Sequence, residues 1–208
     1  MSLLALMAAA AVGTVTVPAP VGNPNDWFGA SDIPKGEFQA GNDGVFVIKA
    51  IVSAGGKIDD CRVRSTGASR ADREDFCARL KRKAKFGTAI NESGAPVYYV
   101  LEDSYAYVLP DSWHRFGAPP EPNAVIDVEK LPEAKAGKTD VLVNVSVDAT
   151  GKLRQCNPAA NSLQPALGRV ACGQLTSSWT PQLEHNAAGD SVAYVRQLWV
   201  EFRAKAAG

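Results

Sequence analysis

The residues with the most chemistry available to them are four cysteines, Cys61, Cys77, Cys156 and Cys172. Their spacing is doubled: each pair is separated by 16 positions, and the second pair lies 95 positions after the first. Thiols can act as nucleophiles, metal ligands or cross-links. The equal gaps favour disulfides joining Cys61 to Cys77 and Cys156 to Cys172. Structural zinc usually draws on CxxC-type pairs that bring two thiolates together locally, and this chain has none; free core thiols are the other reading. Closing a loop of about 15 residues would stabilise a small module by roughly 3 kcal/mol and would require an oxidising compartment.

Other chemistry is sparse. The two histidines, His114 and His185, sit in polar, loop-like contexts, and no GxSxG, phosphate-cradling glycine loop or HExxH occurs. No catalytic residue, metal site or cofactor is assigned, and no small-molecule substrate is expected. Lys+Arg and Asp+Glu both total 22, so no chain-wide field favours nucleic acid. The aromatic pairs Tyr98 with Tyr99 and Trp199 with Phe202 suit a core or sheet face better than a base-stacking platform. Charge is local instead: positions 57–85 hold ten basic against five acidic residues, densest at Arg79, Lys81, Arg82, Lys83 and Lys85. Such a run suits an anionic partner or a solvated helix face whose cations oppose the helix dipole.

The elements that must position these residues repeat with the same period. A shift of 95 also superposes the turn at Gly55-Gly56-Lys57 on the one at Thr150-Gly151-Lys152, and Gly94 with Val97 on Gly189 with Val192. This self-similarity argues for duplication. Segment 44–53 is β-branched and leads through the glycine turn into 57–65, a hairpin signal. In the second copy Val141, Val143, Val145 and Val147 alternate with Asn144, Ser146 and Asp148, which predicts one buried and one wet face. A helix follows, capped by Ser69 with Asp72, and in the second copy by Ser162 with Pro165 in its first turn. Phe76, Cys77, Leu80 and Ala84 share one helical face, as do Leu167, Ala171, Cys172 and Leu175. Each helix cysteine thus turns toward the strand cysteine. A last strand covers 97–108 or 192–202, and a short leading helix or extended piece is expected near Pro34 and Pro132. The fold class read from this order is α+β: two tandem modules, each a three-stranded antiparallel sheet with one packed helix.

The first 25 residues carry no charge, and their apolar run stops at Pro18. That is short for a membrane span and fits the core of a secretory signal. The expected organisation is a signal peptide or short apolar segment over 1–26, a first module over 27–108 and a divergent second module over 109–208.

Several features of the first copy resemble the TonB C-terminal domain family: Trp27, Ile33-Pro34, Gly44-Val45-Phe46-Val47, the turn with Lys57-Ile58, Val63 with Ser65 and Gly67, the basic helix end 79–86, and Gly94-Ala95-Pro96-Val97. The second copy matches less well. The resemblance implies a periplasmic protein that takes up an extended segment of an envelope protein, such as an outer-membrane transporter, by strand addition at a sheet edge. It further implies a link to TonB-dependent transport, and an inner-membrane anchor if the apolar segment is retained. The strands it points to carry Val97, Tyr99 and Leu101 in the first copy and Val192, Tyr194 and Arg196 in the second. Only positions 18–26 separate the apolar run from the first module, too few to bridge a periplasm, so energy transduction is not expected. A non-catalytic structural envelope protein is the alternative.

Overall fold

The computed structural model describes residues 13–28, 44–65, 69–107, 121–131, 137–160 and 162–205. Its first hairpin pairs β1 (Gly44–Val52) with β2 (Ile58–Ser65) around a turn in which the Gly56 N–H donates to the Ser53 carbonyl. Gly56 is obligatory there, because its φ is +76° and a Cβ would lie 2.0 Å from the Phe86 carbonyl oxygen. The capping box at Ser69 forms as expected and opens α1 (Arg70–Lys83). A two-residue strand β3 (Ala89–Ile90) then leads to β4 (Pro96–Tyr107), which pairs antiparallel with β1.

The second copy repeats this order. A short strand β5 (Ala124–Val128) precedes the hairpin of β6 (Lys138–Val147) and β7 (Leu153–Pro158), followed by α2 (Pro165–Ser178) and β8 (Tyr194–Ala204). The cap of α2 is Gln164 rather than Ser162, and its side chain makes no capping bond. Pro165 explains the shift: lacking an N–H, it fits the first helical position, where that donor would go unused.

The architecture is α+β, but the expectation of two separate three-stranded sheets is corrected. All strands belong to one mixed eight-stranded sheet with the order β2-β1-β4-β8-β6-β7, β3 pairing β4 and β5 pairing β8. The join is parallel, with Tyr98, Tyr99 and Val100 of β4 beside Tyr194, Val195 and Arg196 of β8. Helix α1 packs Phe76 and Leu80 on the face formed by Phe46, Ile48, Ala50, Val97, Tyr99 and Leu101. Helix α2 packs Ala171, Cys172 and Leu175 on Val141, Val143, Val145, Leu198 and Val200. Val195 belongs to the first cluster and Leu198 to the second, so strand alternation puts the helices on opposite faces.

Each copy also covers the bare face of the other. On the α2 face, Glu184 of the α2–β8 loop meets Lys49 of β1 at 2.6 Å, and the Ala187 N–H donates to Asp59 Oδ2 at 2.9 Å. On the α1 face, the Ser146 hydroxyl of β6 donates to Glu92 of the β3–β4 loop. The alternation in β6 therefore gives no wet face at its centre: Asn144 and Ser146 are buried, Asn144 accepting from Gln197. The strand pattern predicts which side each residue takes but not that a neighbouring loop will cover the polar side.

The N-terminal segment enters this assembly as well. Residues 13–21 run antiparallel to 85–92, with bonds from Thr16 N–H to the Ile90 carbonyl and from Val21 N–H to the Lys85 carbonyl. Val15 is 1% exposed in the first core, and its N–H donates to Asn157 Oδ1 of β7. From Gly13 onward the segment expected as a leader is part of the sheet structure. Trp27 closes the same core, edge-on to Phe86 at 5.3 Å. Residues 1–12, Pro34, Pro132 and His114 lie outside the described residues. Among the described residues, no helix is long and apolar enough to cross a membrane.

Candidate functional site: the outer edge of the first hairpin

All four cysteines are paired as the spacing indicates. Cys61 bonds Cys77 with Cα atoms 5.7 Å apart, and Cys156 bonds Cys172 at 5.3 Å. Each bridge ties an outer strand, β2 or β7, to the helix above it. No thiol is free to act as nucleophile or ligand, and among the described residues no group of three or more metal-ligating side chains gathers.

The strands expected to offer open edges do not offer them where expected. Val97, Tyr99 and Leu101 lie in β4, between β1 and β8, and Tyr194 and Arg196 lie in β8, flanked by β4 and β6. Val192, just before β8, is held by its N–H bond to the Glu184 carbonyl. The reason is mutual: over Tyr98–Val100 and Tyr194–Arg196 each last strand satisfies the other's edge, so duplication has consumed both there. Arg196 shows how fully this region is enclosed. It is 5% exposed and donates to Glu102 Oε2 at 2.6 Å where β4 parts from β8, and Asn123 donates to the same oxygen at 3.3 Å.

Open edges remain at the two ends of the sheet, and hydrogen-bond parity identifies their exposed groups. The Tyr98 N–H points at β8, donating to the Ala193 carbonyl, so even residues of β4 face β8 and odd ones face β1. Passing that alternation through β1 leaves Asp60, Arg62 and Arg64 bonded inward and turns Asp59, Cys61, Val63 and Ser65 outward. One outward group is already used, the Asp59 carbonyl accepting from Lys81 Nζ of α1 at 2.9 Å. Among the described residues, β1 is the only strand that pairs with β2.

The same parity at the far end, anchored by the Ala159 N–H bond to the Leu142 carbonyl, turns Arg154, Cys156 and Pro158 outward on β7. Proline has no N–H to offer, so this edge is short and interrupted. Helix α2 presses on that proline: a Cβ on Gly168 would lie 2.8 Å from the Pro158 Cβ.

Around β2 the charge is cationic. Arg62 and Arg64 are exposed on the face opposite Cys61 and Val63, Arg62 lying 3.3 Å from Asp60. Lys81 stands on the α1 side, one helical turn beyond the bridged Cys77, while Arg82 and Lys85 are exposed nearby. Arg79 is engaged with Asp75 at 2.7 Å along the helix, and Lys83 closes its last turn. Of the basic residues singled out from the sequence, Lys81 touches the edge, through the Asp59 carbonyl. The alternation of Arg62 and Arg64 about Val63 is visible in the sequence, but that the backbone of Val63 and Ser65 lies on an open edge is not.

His185 is exposed and 3.3 Å from Ser191 Oγ, while its neighbour Glu184 is committed to Lys49. At the junction of the two copies Asn91, Glu92, Ser146, Asp148 and Arg154 line a small open hollow. Asp148 is held below the usual carboxylate range, first by the Thr150 hydroxyl and then by the Lys152 N–H. That is turn chemistry.

No protein-family model matches the chain, and neither the curated proteins nor the solved structures searched contain a match.

Proposed function

We propose that this chain is an exported, disulfide-stapled interaction protein of the bacterial envelope that takes up an extended segment of another protein at the outer edge of β2. The observation that carries this reading is the row of outward backbone groups at Cys61, Val63 and Ser65 on an eight-residue strand with a single pairing strand among the described residues. An added strand would satisfy those groups with little demand on its own sequence. The TonB-like order of elements in the first copy supports the same mode of binding, moved from the last strand to the first hairpin. The two disulfides support an oxidising compartment such as the periplasm. The second copy acts as scaffold: it occupies the β4 edge, covers the α2 face of β1, and ends in a strand closed by Pro158.

Amide hydrogen exchange on the full oxidised chain tests this. With a saturating eight-residue peptide of alternating valine and threonine, protection should rise at Cys61, Val63 and Ser65 and stay unchanged at Arg154 and Cys156. Unchanged exchange at the β2 amides would sink the reading.

A further inference from the structure

The two copies differ at the proposed edge. Carried forward by 95 positions, Arg62 becomes Asn157, Val63 becomes Pro158, Arg64 becomes Ala159, Arg73 becomes Gly168 and Lys81 becomes Thr176. Four cations are lost at these positions, one is gained where Asp59 becomes Arg154, and a proline stands at an outward position. The cysteines, the glycine turn and the strand order are kept. The features that build the module are thus shared, while the strand edge is not.

From this the geometry points to an acidic extended segment as the partner, taken up by the first copy alone. The inference rests on the strand-addition reading above and adds the chemistry of the partner. A strand laid beside β2 would run between two sets of positive charge: Arg62 and Arg64 on one face of the sheet, and Lys81 with the exposed end of α1 on the other. Side chains of an added strand alternate between those faces, so carboxylates at every second position would gather on one of them, beside Arg62 and Arg64. Local acids offset only part of this charge: Asp60 lies 3.3 Å from Arg62 and Asp59 accepts from the Ala187 N–H, yet positions 57–85 hold ten basic against five acidic residues. A nucleic acid would offer negative charge but no ladder of N–H and C=O groups to match Cys61, Val63 and Ser65. A peptide supplies both.

Fluorescence anisotropy with two labelled eight-residue peptides tests the inference on the full oxidised chain. One peptide alternates valine with glutamate, the other valine with glutamine. At low salt the acidic peptide should bind about tenfold more tightly, the effect of two or three partly exposed ion pairs. High salt should erase the difference. The Arg62→Gln/Arg64→Gln variant should lose the preference while keeping the weaker affinity, and Ser65→Pro should weaken both peptides. Arg154→Gln, at the opposite edge, should change neither. Equal binding of the two peptides to the native chain would overturn the acidic partner and leave strand addition standing. Binding of the acidic peptide that Ser65→Pro leaves at full strength would show attachment by charge alone and overturn strand addition. Loss of the preference in Arg154→Gln would overturn the assignment to the first copy. Circular dichroism and thiol counting on each variant separate loss of binding from loss of fold.

Discussion

Tyr99 and Tyr194 are equivalent by the 95-residue repeat, yet they lie on opposite faces of one sheet. The β4–β8 register sets Tyr99 beside Val195, one position beyond its counterpart. That single-residue offset turns every equivalent pair to opposite sides, which is why each helix can cover its own copy without meeting the other. Tyr99 then packs against Phe86 in the α1 core at 5.9 Å, and Tyr194 enters the α2 side, donating its hydroxyl to the Gln182 carbonyl at 2.8 Å.

Both phenols should make the fold sensitive to alkali. Burial pushes Tyr99 up to about 12 and raises Tyr194 further. In the unfolded chain a tyrosine ionises near pH 10. Between about pH 10 and 12 the unfolded state therefore binds fewer protons than the folded one, and stability falls as pH rises through that window. Urea midpoints should hold steady up to about pH 9 and then drop. Tyr99→Phe should remove part of that drop, and a midpoint that stays level to pH 11 in the native chain would count against the burial argument.

Two glycines with similar backbone angles should respond differently to alanine. Gly56 has φ +76° and a Cβ there would collide with the Phe86 carbonyl, while Gly94 has φ +80° and open space around it. Gly94→Ala should cost about 1 kcal/mol, the intrinsic penalty of the left-handed region. Gly56→Ala should cost at least about 3 kcal/mol, since a hairpin must move away from the loop it abuts. Thermal melts of the two variants under non-reducing conditions would compare them directly, and equal shifts would contradict the close approach.

Processing of the N-terminus is bounded by packing. A chain beginning at Gly13 keeps Val15 in the core together with the pairing of Thr16 to Ile90. Removing residues through Pro20 should cost about 2 kcal/mol from the buried valine alone, and more from the lost pairing. Any folded form shortened at its N-terminus should therefore start at or before Gly13. Mass determination of the mature chain checks this, and a folded mature form starting beyond Val15 would refute it.

The sequence by itself determined the local chemistry of this protein. Equal cysteine spacing named both bridges, glycine turns located both hairpins, and Ser69 with Asp72 opened α1 where expected. These features depend on residues near one another along the chain, so spacing and periodicity suffice to read them. Which strand edges stay open was decided only in the tertiary structure. The pairing of Tyr98–Val100 with Tyr194–Arg196 joins segments almost a hundred residues apart, and nothing in either strand's alternation marks it as interior. The same holds for the burial of Asn144 and Ser146, polar residues on a face that reads as wet until a loop of the other copy closes over it. Side-chain pattern tells a strand which way to face; the hydrogen bonds that fill its edges are backbone groups common to nearly every residue, and only the assembled sheet assigns their partners.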